Sequence, residues 1–162
     1  CDGHRDADTD NPNGYYEFEP VKQTREDSRW LQQCGGKAVK MVYSLLYDLP
    51  VDRRYDVIFM RRDLNEILVS QRTMLQHMGL SAGTDDDRMA RLFSTEIIRF
   101  RTWIAGSQHI RCLEVPYNEI ASGGTTPLNH INAHLGGQLN TSAMASIVDP
   151  SLYRNRVGTT AA

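Results

Sequence analysis

The sequence predicts an α/β domain with a mainly parallel sheet flanked by helices, and two observations carry that expectation. Three short apolar runs, KAVKMVY (37–43), YDVIFM (55–60) and HIRCLEVPY (109–117), are each bounded by turn or charged residues, as buried strands are. Between the second and third runs the apolar spacing changes to the helical period, so strands alternate with helices, the pattern of parallel βαβ units. A length of 162 residues suits a single domain over 1–162 with one core.

In chain order, residues 1–20 are rich in Asp, Asn, Pro and Gly, and DADTDNPNG fits neither period, so a loop is expected. Pro20 before the stretch and Gly35-Gly36 after it bracket a short helix over 21–33. KAVKMVY follows as the first strand. SLLYDLPVDRR leaves room for a helical turn and a loop before the strand YDVIFM. Leu64, Ile67, Leu68, Leu75 and Met78 then share one helix face, which Gly79 ends, so the strand-to-helix transition falls at Arg61-Arg62-Asp63. Asp85, Asp86 and Asp87 suit the dipole at the start of a second helix, whose apolar face runs from Met89 to Ile104 and which Gly106 closes. The strand 109–117 is followed by a Gly-Gly loop and helices over 127–135 and 141–148.

Composition narrows the function. Charged residues make up 23% of the chain and the formal charge is -2, which leaves no electrostatic footprint for nucleic acid. No run approaches the roughly 20 apolar residues of a membrane span, and the opening CDGHRDADTDNPNG is too polar for a signal peptide, so a cytoplasmic protein with no membrane partner is expected. Cys1, Cys34 and Cys112 are too few and too widely spaced for a zinc cluster and read as reduced packing residues. His130 and His134 have a chelating i, i+4 spacing but no HExxH glutamate, so no metal site is assigned.

The segment that points to chemistry is VIFMRRDLNEILVS, 57–70, where arginine ends a strand, a helix follows at once, and Ser70 stands eight residues beyond Arg62. A guanidinium at the carboxyl end of a strand offers bidentate donors to a phosphate, and a hydroxyl on the helix flank adds another. Helix-start amides would add to this only if the anion reached the helix tip. The same residues also read as a solvated strand end with a surface serine.

In order along the chain, NPNGYYEFEPV, GKAVKMVYSLLYDLP, VIFMRRDLNEILVSQRTML and VDPSLYRNR resemble a group of bacterial sulfotransferases. The resemblance implies a P-loop nucleotide-hydrolase-like fold and the co-substrate 3′-phosphoadenosine 5′-phosphosulfate (PAPS). It implies sulfuryl transfer to a hydroxyl or amine of a small-molecule or glycan acceptor. Arg62 and Ser70 would then hold the cofactor's 3′-phosphate, with Arg61 beside them, and Arg154 and Arg156 would contact cofactor phosphates. Lys40 would stand near the transferred group. The family's strand histidine has no counterpart in KAVKMVY, which leaves Glu17, ahead of Glu19, as the acceptor's base by analogy with the glutamate-dependent members. Both glutamates also read as exposed loop carboxylates.

Two departures bear on that reading. No G-x-x-x-x-G-K-S/T loop follows any strand, so the resemblance implies that the first strand, its phosphosulfate loop and the next helix lie upstream of Cys1. Residues 1–162 alone are then expected to be inactive. The alternatives are a nucleotide-dependent, kinase-like P-loop protein and a non-catalytic binding fragment or pseudoenzyme.

Overall fold

Val57, Ile58 and Phe59 are β-branched or aromatic and pack well on both faces of a pleated sheet. They form the middle of strand β1, Tyr55–Arg61, which pairs in parallel with β2, Ile110–Pro116. The computed structural model describes residues 14, 16, 18–77, 79 and 86–153, and among these the sheet has two strands, in register from Tyr55 opposite Ile110 to Arg61 opposite Pro116. Helices α1 (Leu64–His77) and α2 (Asp86–Gly106) lie between the strands in the chain. After β2 come α3 (Tyr117–Ala121), α4 (Thr126–His134) and α5 (Thr141–Ser146). The architecture is mixed α/β, a small parallel sheet flanked by helices.

The strand period of two sorts the core between the sheet's faces. Ile58, Leu113 and Val115 pack on Leu128 and Ile131 of α4 and Met144 of α5. Phe59 points the other way and meets Phe100 of α2, ring centroids 4.7 Å apart, with Trp103 6.1 Å beyond. Of these, Val115, Leu128 and Phe100 are buried, and each such side chain contributes about 1.5–3 kcal/mol. The turn after α3 requires glycine at 124. Its amide donates to the Glu119 carbonyl at 2.8 Å, and a Cβ there would sit 2.8 Å from that same oxygen.

The chain divides into two units, Cys1–Arg53 and Arg54–Ala162, and the sheet belongs to the second. The first is built of 3₁₀ turns at Glu19–Gln23, Arg29–Gln33 and Tyr43–Asp48, around buried Val21, Trp30, Leu46 and Leu49. Phe18 meets Trp30 edge-on at 6.0 Å.

Two expectations fail in this unit. The helix over 21–33 is broken in two because side chains offer the backbone other partners: Thr24 Oγ1 donates to the Val21 carbonyl at 2.5 Å, and Asp27 Oδ1 accepts from the Arg29 amide at 2.9 Å. The strand over 37–43 is absent. Val39, Met41 and Tyr43 are half-buried while Ala38, Lys40 and Val42 are exposed, so the strand-like alternation exists, but no ladder partner pairs with it among the described residues. No helix among the described residues is long and apolar enough to cross a membrane.

Candidate functional site

At the carboxyl ends of β1 and β2 the chain leaves an open cleft of about 740 Å³. Arg61, Arg62, Asp63 and Asn65 line it from the end of β1 and the start of α1, Arg101 from α2, and Asn118 from α3. Ile97 and Ile98 of α2 give it an apolar wall. Three guanidiniums therefore reach one concave surface.

Each guanidinium is held differently. Arg61 is exposed and makes no ion pair within 4 Å among the described residues, acting only through space on Glu114. Arg101 forms a two-pronged pair with Glu114, Nε to Oε1 and Nη2 to Oε2, both 2.6 Å. Arg62 donates Nε–H to Glu66 Oε2 at 3.3 Å and lies over the Tyr117 ring at 5.3 Å, a cation–π contact, while its Nη groups have no hydrogen-bond partner among the described residues. Glu66 and Glu114 do not line the cleft; the carboxylate that does is Asp63, whose Oδ1 is turned onto the amides of Asn65 and Glu66.

The helix tip is already taken. Asp63 caps α1: its Oδ1 accepts from the amides of Asn65 at 2.9 Å and Glu66 at 3.3 Å, and its carbonyl accepts the first helical bond from Ile67. The amides of Asn65 and Glu66 are thus satisfied by the chain's own carboxylate, and the positive charge in the cleft comes from the arginines.

Behind Arg62 lies a buried polar circuit. Glu66, only 2% exposed, accepts from Tyr153 Oη at 2.6 Å through Oε1. Tyr153 Oη in turn accepts from Asn118 Nδ2 at 2.5 Å, and Asn118 Oδ1 accepts from the Asp63 amide at 3.3 Å. Tyr153 also meets Tyr117 edge-on, centroids 5.9 Å apart. Its hydroxyl pKa is raised, first by the bond to Glu66 and then by burial, so it remains a donor at neutral pH.

The remaining sequence candidates are dispersed. Ser70 is half-buried on α1 and does not line the cleft. Glu19 and Lys40 belong to the first unit, where Glu19 pairs with Lys22 at 2.7 Å and Lys40 is exposed. Glu17, Arg154 and Arg156 lie outside the described residues. Sequence reasoning passed over Arg101, Glu114, Glu66, Asn118 and Tyr153. Only Glu66 carried a local signal, four residues after Arg62 at the start of a helix. Cys112 is half-buried with its thiol pKa raised by burial, as a packing residue's would be. Among the described residues, His134 Nε2 is buried without a hydrogen-bond partner, and no group of His, Cys, Asp and Glu assembles a metal site.

The Arg101 hydrogen bond, with burial opposing and Arg61 helping, holds the Glu114 carboxyl below its ordinary 4.5. A lowered folded pKa means stability fully present above 4.5 and lost as pH falls below it. Urea midpoints of Glu114→Gln are therefore expected to fall less than the wild type's between about pH 5 and about pH 3. Both side chains are substantially exposed, so the difference is small and shrinks with added salt.

No protein-family model, no curated protein and no solved structure matches this chain.

Proposed function

We propose that the cleft binds the phosphate groups of a nucleotide, and that the chain is part of a sulfotransferase moving a sulfuryl group from PAPS to an acceptor hydroxyl or amine. The observation that carries this reading is the convergence of Arg61, Arg62 and Arg101 on one cleft beyond the carboxyl ends of two parallel strands. Parallel α/β sheets bind ligands at that end. A guanidinium gives a phosphate two parallel charge-assisted hydrogen bonds, and the unpartnered Nη groups of Arg62 suit that geometry.

In this reading the sheet is the part of a P-loop nucleotide-hydrolase-like fold that holds the adenosine 3′-phosphate. Arg62 and Arg61 are its principal donors, and Ile97 and Ile98 supply apolar surface. Sulfuryl transfer asks a protein mainly for alignment of donor and acceptor, positive charge around the departing oxygens, and a base for the acceptor's proton. Glu17 and Glu19 are the candidates for that base and Lys40 for the charge.

Calorimetric titration with adenosine 3′,5′-bisphosphate, the product form of the co-substrate, tests the reading. Arg62→Ala is expected to weaken binding by about 1.5–3 kcal/mol, roughly tenfold to a hundredfold, the scale of a charge-assisted pair. Ser70→Ala is expected to cost less. Unchanged affinity in Arg61→Ala and Arg62→Ala, beside normal melting, overturns the phosphate site. Preference for ATP over the bisphosphate would point to a kinase-like protein instead.

A further inference from the structure

We propose that Tyr153 and Glu66 are positioning residues that together hold the Arg62 guanidinium against the wall of the cleft. The functional consequence rests on the anion-site reading above; the positioning itself does not. A flexible arginine at a strand end would sample many rotamers, and each donor it offers an anion would carry that ordering cost. Here the side chain is restrained at two places at once. Its Nε–H is held by the Glu66 carboxylate, and its planar face rests on Tyr117.

Both restraints lead back to Tyr153. Its hydroxyl donates to Glu66 at 2.6 Å, fixing the carboxylate that faces Arg62, and its ring meets the edge of Tyr117, the platform under the guanidinium. The same hydroxyl accepts from Asn118, which itself lines the cleft. Tyr153 is buried and lies 87 residues from Glu66 in the chain, so this tie joins distant segments of the α/β unit. It docks Tyr153, which directly follows the 3₁₀ turn Pro150–Leu152, behind the arginine. Neither Tyr153 nor Glu66 lines the cleft, so their influence on a ligand passes through Arg62 and Asn118.

Two measurements on the same variants separate positioning from mere stability. The first needs no ligand: the Arg62 Nε–H resonance, identified by its loss in Arg62→Lys, is followed for exchange with solvent. Tyr153→Phe, which keeps the ring and removes the hydroxyl, is expected to speed that exchange about fivefold to tenfold, the factor one hydrogen bond confers, in a chain that still folds but melts at a lower temperature. Glu66→Gln, of equal volume, keeps one acceptor oxygen but loses the charge, so it is expected to speed the same exchange by a smaller factor, and it gives a second reading should Tyr153→Phe fold poorly. The second is a double-mutant cycle with adenosine 3′,5′-bisphosphate. Tyr153→Phe is expected to weaken binding about fivefold when Arg62 is present and less than about twofold in an Arg62→Ala background.

Unchanged Arg62 exchange in both variants overturns the proposal, as does an equal loss of binding in both backgrounds, which would mark a general structural effect. A freed Arg62 proton with no bisphosphate binding by any form supports the positioning while removing the anion-site reading.

Discussion

Phe100→Ala is expected to destabilise the α/β unit by about 3–5 kcal/mol, the range for truncating a fully buried phenylalanine. Phe100 is 1% exposed, stacks at 4.7 Å on Phe59 of β1 and touches Trp103 one helical turn on, so it is the side chain through which α2 grips the sheet. Truncation removes the transfer free energy of a phenyl group and leaves a cavity between a strand and a helix that cannot collapse without breaking the parallel register. A domain is stable by only about 5–15 kcal/mol, so the variant would approach unfolding at ordinary temperature. The chain has two tryptophans, Trp30 in the first unit and Trp103 in the second. Urea titration followed by Trp103 fluorescence in a Trp30→Phe background therefore reports the α/β unit alone. A midpoint shift at unchanged slope, with Phe100→Leu losing only about 1.5 kcal/mol, is the expected result; a loss under about 1 kcal/mol would show that α2 is not anchored there.

Glu66→Ala is expected to cost about 3 kcal/mol by the same measurement. Glu66 is 2% exposed and accepts from both Tyr153 Oη and Arg62 Nε. Removing it takes the acceptor from a buried hydroxyl, a loss of about 1–3 kcal/mol, and takes from the Arg62 guanidinium the carboxylate it donates to. Breaking a wholly buried pair costs about 3–5 kcal/mol. The Arg62 side chain keeps 25% of its exposure and so reaches water, which places the loss at the lower end. Glu66→Gln retains one acceptor oxygen and is expected to lose less. Equal melting of Glu66→Ala and wild type would mean that the circuit behind Arg62 holds nothing in place.

Legibility varied along the chain for identifiable reasons. Helix α1 was expected to end at Gly79 and α2 at Gly106, because their apolar residues recur at the helical period over many turns and glycine marks each end. The transition at Arg61-Arg62-Asp63 was equally plain, since an apolar run met a helix start there. The region 21–33 has the same kind of boundary residues, yet forms two 3₁₀ turns. A short helix is marginal on its own, and Thr24 and Asp27 supply competing bonds that no apolar count registers. Residues 37–43 show why strands are harder to read. Their alternation is real, but a strand exists only where a second one completes its ladder, and none does among the described residues.

What the sequence determined by itself was local: the parallel α/β character, the bounds of the long helices, and an arginine pair at a strand's carboxyl end. Period and turn chemistry act over a few neighbouring residues, and a single chain displays them directly. Only the tertiary structure decided what that arginine pair faces. Arg101 joins the cleft from a helix 40 residues onward, Asn118 arrives after β2, and Tyr153 closes the circuit on Glu66 across 87 residues. Such contacts depend on how the strand register and the packing of α2 bring distant segments to one end of the sheet, and no spacing rule in the sequence encodes a hydrogen bond across that separation. The helix tip was decided there too: Asp63 turns its own carboxylate onto the amides of Asn65 and Glu66.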